Sequence, residues 1–482
     1  MNHGEPASRH PLSSSQPDPF QENPSRKWWI LLAIGIGTFM SALDGSVVNI
    51  ILPVLKDHFI SSVSTVEWVV TIYLLVLSGV LLGFGRLGDL HGHKRIYLSG
   101  FGVFLLGSFF CGLAPSIEIL IFFRAVQALG ASVLQANSPA ILTSSFPGRQ
   151  RGQALGLQAT MTYLGLTVGP SLGGWLTDQF SWRAVFYINI PVGITAFILS
   201  LIFIRADAPS AKRVKFDFLG AGLFMVGLVL LIFSLNQGYL FGWTSWLVLG
   251  PIILSVLALG GFWMVERRAE NPMLDLSLFS SRVFSSSVVS AVINYIGVYS
   301  ITFLMPFYLI QGMGFTPSGA GLVLTAMPIV MAIAAPLSGS ISDRIGTWLP
   351  ALAGMSMLSL GLYLLSGLTI DSSLTEIVIR LAFVGLGIGV FISPNTSALM
   401  GAAPRHRQGI ASGVLATARN AGMALGVALA GAVFTTVIGT AANPSALETI
   451  AGFQTSMIVA AAICALGIFT TAFRSEKRAA SP

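Results

Sequence analysis

Long apolar runs separated by short polar turns dominate the chain from residue 26 onward. Each run is about 20 residues or longer, the length of helix that crosses the hydrocarbon core of a bilayer. In order they fall near 28–52, 66–86, 96–114, 117–143, 153–177 and 184–204, then 217–236 and 246–265, then 283–310, 317–342, 349–369, 375–399, 410–437 and 450–472. The pattern predicts an all-α integral membrane protein with fourteen transmembrane helices. Arg26, Lys27, Trp28 and Trp29 stand at the edge of the first run, where interfacial anchors belong. Pro115 closes the third run, because proline cannot continue the hydrogen-bond ladder. The flanking segments 1–25 and 474–482 are polar and read as cytoplasmic tails, the first of them disordered. Residues 1–25 have no apolar core and are not a cleavable signal peptide.

Composition supports the same class. Hydrophobic residues make up 54% of the chain, charged residues only 9%, and mean hydropathy is +0.79. Soluble domains carry about 25% charged residues. The formal charge of +7 is dispersed over short loops, so it is not a nucleic-acid footprint. With the N-terminus inside, 21 of the 26 Lys and Arg residues fall in inside segments, and Lys56 and Arg183 fall outside. Arg124, Arg380 and Arg419 lie within apolar runs. This bias places both termini in the cytoplasm. Cys111 and Cys464 sit in apolar runs and read as small packing residues.

The loop after the second run, Gly85-Arg86-Leu87-Gly88-Asp89-Leu90-His91-Gly92-His93-Lys94-Arg95, is repeated in skeleton far downstream. Gly85-x3-Asp89-x2-Gly92 matches Gly339-x3-Asp343-x2-Gly346, with Arg344 following Asp343. Arg124 matches Arg380 at an offset of 256, and Pro147-x4-Gly152-x3-Gly156 matches Pro404-x4-Gly409-x3-Gly413 at 257. The duplication maps runs one to six onto runs nine to fourteen. It predicts a six-helix bundle over 26–205, two extra helices with charged connectors over 206–282, and a second six-helix bundle over 283–473. Parallel six-span repeats of this kind describe the halves of major facilitator transporters, with a substrate site between them.

Buried charges mark the candidate chemistry. Asp44 lies well inside the first run, where an acid is costly to keep ionised and serves either a function or a fixed ion pair. It is the candidate proton carrier. Arg124 lies at a similar depth and is its candidate partner, or else a helix cross-link to backbone carbonyls. Glu67, at the outer end of the second run, reads as an interfacial charge or the outer door of a proton path. Gly165, Gly169, Pro170, Gly173 and Gly174 set small residues four apart beside a proline, which permits close helix packing or a bending gate. The second half lacks a counterpart to Asp44. Asn294, Tyr295, Tyr299, Arg380 and Arg419 are its candidate cavity residues, with Gln127 from the first half. His91, His93 and His406 read as solvated loop histidines rather than metal ligands, and there is no P-loop for ATP.

These motifs resemble the fourteen-span drug:proton antiporter family of the major facilitator superfamily, along nearly the whole chain after residue 26. Gly85 to Arg95 resembles the superfamily loop motif. Leu43-Asp44-Gly-Ser-Val-Val-Asn49-Ile-Ile-Leu-Pro53 resembles the first-span motif of the fourteen-span group. Gly165-x3-Gly169-Pro170-x2-Gly173-Gly174 resembles the antiporter motif, and Arg124-Ala-Val-Gln127-Ala-Leu-Gly130 resembles the fourth-span motif, departing at Ala128 where the family has Gly. The resemblance implies proton-driven export of a lipophilic compound from a bacterial inner membrane by alternating access. It implies proton coupling at Asp44, with Arg124 and Gln127 in the proton-transfer motif. It also implies a conformational latch around Gly85, Arg86, Gly88, Asp89, Gly92, Lys94 and Arg95, keyed by Asp89. Expected partners are a small lipophilic substrate, protons and surrounding lipid, with no cofactor, metal or nucleic acid. A monomer and a link to an envelope adaptor both remain open. So do a dedicated exporter of one endogenous metabolite, antibiotic or siderophore, and a flippase or importer on the same scaffold.

Overall fold

The structure is a computed structural model that describes residues 25–147, 150–205, 217–268, 276–404, 407–439 and 444–473. The polar tails (but for Ser25), the connectors 206–216 and 269–275, and His406 lie outside the described residues, as do the side chains of Arg86 and Asp89. The first group of helices is α1 (Arg26–His58), α2 (Val63–His91), α3 (His93–Leu113), α4 (Ile117–Ser145), α5 (Arg151–Gln179), α6 (Ala184–Tyr187) and α7 (Asn189–Phe203). A hairpin of α8 (Phe218–Phe241) and α9 (Trp246–Arg268) follows. The second group is α10 (Arg282–Phe307), α11 (Pro317–Leu324), α12 (Ala326–Ile345), α13 (Trp348–Ser366), α14 (Leu374–Ala402), α15 (Gln408–Ile438) and α16 (Ala446–Ala472).

Among the described residues, twelve helical segments are long and apolar enough to cross a membrane, the short pairs α6–α7 and α11–α12 each counting as one. The protein is a multi-pass, all-helical membrane protein. Its exterior is apolar: Phe122, Leu257 and Phe469 are each more than 60% exposed, whereas Asp44 and Arg124 are buried. Two further helices fall outside the twelve. The 29-residue α5 is enriched in Gly, Thr and Gln, which lowers its hydropathy. In α8, a 24-residue apolar helix, the side chains of 218, 236 and 239 lie outside the described residues, and the apolar stretch is counted over Leu219–Leu235 alone.

Hydroxyl side chains begin six of the described helices, among them α10, where Ser281 accepts from the Phe284 amide. Ser62 accepts from the Thr65 amide, Ser116 from Ile119, Thr316 from Gly319, Ser373 from Glu376 and Ser445 from Glu448. Each satisfies a donor that a helix leaves bare at its N-terminus. Because successive spans alternate in direction, the caps of α2, α4, α11, α14 and α16 share one end of the molecule, here the distal end, and that of α10 lies at the other. The start of α1 and the finish of α16 lie at the other, terminal end. There the chain turns on glycine: Gly92 (φ 91°) joins α2 to α3, and Gly346 (φ 90°) joins α12 to α13. An L side chain is strained at such angles, so the repeated loop skeleton keeps Gly at the same structural place.

The two groups meet at the distal end. Gly174 of α5 lies on the Pro317 carbonyl, and Gly321 of α11 lies reciprocally on the Pro170 carbonyl. On the opposite flank α2 packs against α15, with the Glu67 carboxylate over Gly431. Gln311 donates to Asp57 at 3.0 Å, and the Ser318 amide donates to Asp178 at 2.9 Å. The α8–α9 hairpin attaches through α8 to both α2 and α15. Ser255 Oγ bonds the Gly227 carbonyl within the hairpin, stitching its two helices.

Candidate functional site

Five polar side chains from four spans close a buried network inside the first group. Arg124 Nη1 donates to Asp44 Oδ2 at 2.7 Å and to Gln127 Oε1 at 2.6 Å. Gln127 Nε2 donates to Asp44 Oδ1 at 2.9 Å and to Ser108 Oγ at 2.5 Å. Asn189 Nδ2 reaches Asp44 Oδ1 at 2.8 Å and Ser108 Oγ at 3.3 Å. Arg124 Nε bonds the Val69 carbonyl at 3.0 Å, which ties in α2. The Tyr73 ring covers the guanidinium, 4.2 Å from its carbon. Asp44, Ser108, Gln127 and Asn189 are all fully buried.

Local sequence builds this arrangement. Arg124 and Gln127 lie three apart on α4 and therefore share a face. Gly107 of α3 sits on the Gln127 backbone, where an added Cβ would come within 2.7 Å. That close approach brings Ser108 to the amide. The sixth span is broken between α6 and α7, and Pro191, in the first turn of α7, lacks the amide needed to carry the helix through. Asn189 sits at this break and turns into the network. Two carboxylate oxygens accepting three N–H donors offset the cost of burying the charge, which a lone ion pair in this setting does not achieve.

The small residues of α5 hold Asp44's helix from the side. Gly165 approaches the Phe39 carbonyl, Gly169 the Ser46 hydroxyl and Gly173 the Val47 side chain. Ser46 Oγ bonds the Gly165 carbonyl at 3.2 Å. Pro170 and Gly174 face α11 of the second group instead. One motif thus grips α1 with one face and the other half of the protein with the next.

The remaining candidates fall in several places. Glu67 is not at a solvated surface; it is buried in the α2–α15 contact, because the first turns of α2 pack inside the distal seam. Tyr295, Tyr299 and Arg419 come together, the Arg419 guanidinium reaching the Tyr295 hydroxyl. Asn294 is buried beside them in sequence on α10. Arg380 stands apart from this group. It pairs with Glu376 one turn earlier and donates to the Leu364 carbonyl of α13. In the loop, His93 Nδ1 lies 2.8 Å from Asn137 Oδ1, and Lys94 donates to the Leu201 carbonyl at 2.8 Å, both within the first group. Arg95, Asp343 and Arg344 are exposed.

The repeat explains why the halves differ. Gly130 lies on the Phe104 amide and Gly387 on the Leu358 amide, so packing relates α4 to α14 at 257 residues. Leu381, not Arg380, takes the place of Arg124. Gly165 meets Phe39 and Ala42, whereas Gly422 meets Val292 and Tyr295, so α1 maps to α10 at 253. Gly297 then replaces Asp44. The charged pair of the first half has an apolar counterpart, with Leu381 fully buried.

The sequence profile of the Major Facilitator Superfamily matches residues 34–427 and 287–482. The chain belongs to this superfamily. Membership makes it a non-enzymatic transporter, and several relatives sharpen the comparison. It is 35% identical over 455 residues to riboflavin transporter RibZ of Clostridioides difficile, covering 94% of this chain and 98% of that one. It is 34% identical over 415 residues to multidrug resistance protein Stp of Mycobacterium tuberculosis, covering 86% of this chain and 77% of Stp. The tetracenomycin C resistance and export protein of Streptomyces glaucescens is 31% identical over 415 residues, with the same coverage. Among solved structures, a bacterial homologue of the human lysosomal transporter Spinster, inward-facing and unoccupied, superposes with a TM-score of 0.69 at 16% identity. That match covers 94% of this chain and 97% of the other, and it shows the same fold.

Proposed function

We propose that this major facilitator protein is a proton-coupled exporter of lipophilic compounds, working by alternating access in a bacterial inner membrane. The chain then spans the bilayer fourteen times, as bundles 26–205 and 283–473 flanking the 206–282 insertion, with both termini cytoplasmic. The observation that carries the reading is the buried Asp44–Arg124 pair, closed by Gln127 and Asn189. Asp44 is the proton-binding group. Protonating it removes the charge that holds Arg124, and that release is the coupling step to the conformational change.

The distal contacts are the gate of this cycle. Gly165, Gly169, Pro170, Gly173 and Gly174 allow α5 to slide between α1 and α11, and Glu67 is the door on the α2–α15 flank. The loop Gly85 to Arg95, with Asp343 and Arg344, latches the terminal end in the alternate state. Substrate occupies the space between Tyr299, Tyr295, Arg419 and Gln127. Similarity to Stp and the tetracenomycin C export protein supports efflux.

The test is transport in everted vesicles energised with a pH gradient. Wild-type protein should move substrate inward and release protons in return, and Asp44→Asn should do neither at matched amounts of folded protein. Full transport by Asp44→Asn would sink the assignment. Similarity to RibZ at 35% identity supports a second reading, transport of a single metabolite. A panel in which one compound alone drives proton exchange would favour that reading.

A further inference from the structure

Between the two groups lies a cation with no counter-ion among the described residues. Arg419 of α15 is half-buried, and no carboxylate among the described residues pairs with it. Its Nε is buried without an acceptor. Three tyrosines lie within electrostatic range of its guanidinium: Tyr295, which it reaches with a hydrogen bond, and Tyr299, both from α10, and Tyr163 from α5 of the other half. Packing fixes the arrangement, because Gly422, one turn beyond Arg419, seats α15 on Val292 and the Tyr295 Cβ. Tyr73 continues the row toward the first-half network, close to Tyr299 on one side and stacked on Arg124 on the other. On neighbouring positions, Asn420 Nδ2 and both polar atoms of Asn294 are likewise buried without partners.

The charges of this region do not cancel. Asp44 already accepts three hydrogen bonds, from Arg124, Gln127 and Asn189, and its charge is matched by Arg124. Arg419 leaves one net positive charge among aromatic rings. An unpaired guanidinium at membrane depth is costly and marks a ligand site. Its planar fork suits an acidic oxygen, and its faces and the tyrosine rings suit a flat π-system. We infer that Arg419, framed by Tyr163, Tyr295 and Tyr299, forms a binding site for a planar aromatic compound carrying an anionic or strongly accepting oxygen. The inference rests on the reading that substrate binds between the two groups, and it names the substrate class for that site.

The test uses three dyes on purified full-length protein in nanodiscs: anthraquinone-2-sulfonate, neutral anthraquinone and cationic ethidium, followed by quenching of intrinsic fluorescence. The sulfonate should bind at least about tenfold more tightly than ethidium. Arg419→Gln should lose that tenfold preference, Arg419→Lys should keep part of it, and Tyr295→Phe should weaken the sulfonate by a smaller factor. Melting curves confirm that each variant is folded, and the lysine variant keeps the test valid if the glutamine variant is not. Equal sulfonate affinity in wild type and Arg419→Gln would overturn the site. So would tighter binding of ethidium than of the sulfonate. Proton release is read on the same samples. Release driven by ethidium alone would leave the exporter standing and remove this substrate class, whereas no release with any dye would count against both.

Discussion

Asp44 and Arg124 meet at 2.7 Å across 80 residues of sequence, both shut away from solvent. Removing one member strands the other in a buried site, at a cost of about 3–5 kcal/mol. Arg124→Gln should therefore melt well below wild type. Asp44→Asn combined with Arg124→Gln should recover much of that loss, because no lone charge remains. Transport should be absent in all three variants. A double variant no more stable than the single one would show that the pair is not the dominant interaction there.

Gly169 lies so close to Ser46 Oγ that an added methyl would overlap it. Gly169→Ala should push α1 away from α5 and reduce transport by an order of magnitude or more. Removing the obstructing hydroxymethyl with Ser46→Gly should restore part of the rate. Initial efflux rates on matched expression check this, and absence of rescue would mean that the glycine matters for something other than this contact.

At Gly174 the obstruction is a backbone carbonyl, which cannot rotate away. Gly174→Ala should pry open the distal seam. A cysteine placed at Asp178 should react faster with an impermeant maleimide in that background, since native Cys111 and Cys464 are buried. An unchanged labelling rate would contradict the seam assignment.

Glu67→Gln should act in the opposite direction. Losing a carboxylate that is buried in the α2–α15 contact favours the closed seam. Labelling at position 178 should slow while substrate binding persists. Faster labelling would mean that the carboxylate stabilises closure.

Asp89→Asn tests the latch reading of the repeated loop. Exchange between the two access states should slow or shift its balance with substrate affinity unchanged within about twofold. Loss of binding would move Asp89 out of the loop's mechanical role.

Much of the network was readable from sequence because an ionised group in an apolar run must be explained. Asp44 and Arg124 announce themselves in that way, and Gln127 enters through the fourth-span motif it shares with Arg124. Ser108 and Asn189 were not found. Small polar residues are common in membrane helices, and only packing shows which of them face a charge. The break before Pro191 was the available signal for Asn189. Arg380 shows the opposite failure. An offset of 256 looks like a repeat, but the helices pack at 257, and one residue turns a side chain by about 100° on a helix. Glu67 stands near a helix end in the sequence, which says nothing about a second half closing over it. The low hydropathy of α5 has the same origin as its role, since glycine and threonine that weaken a lipid signal permit contacts with α1 and α11.

The α8–α9 hairpin gives the protein two unlike sides. A compound dissolved in the lipid approaches two clefts between the bundles. One of them, between α2 and α15, is roofed by α8. The other, where α5 meets α11, has no such cover from the hairpin. Under the proposed exporter reading, a sideways route from the membrane into the centre is one-sided, on the α5 flank, and it opens only when the α5–α11 contact parts.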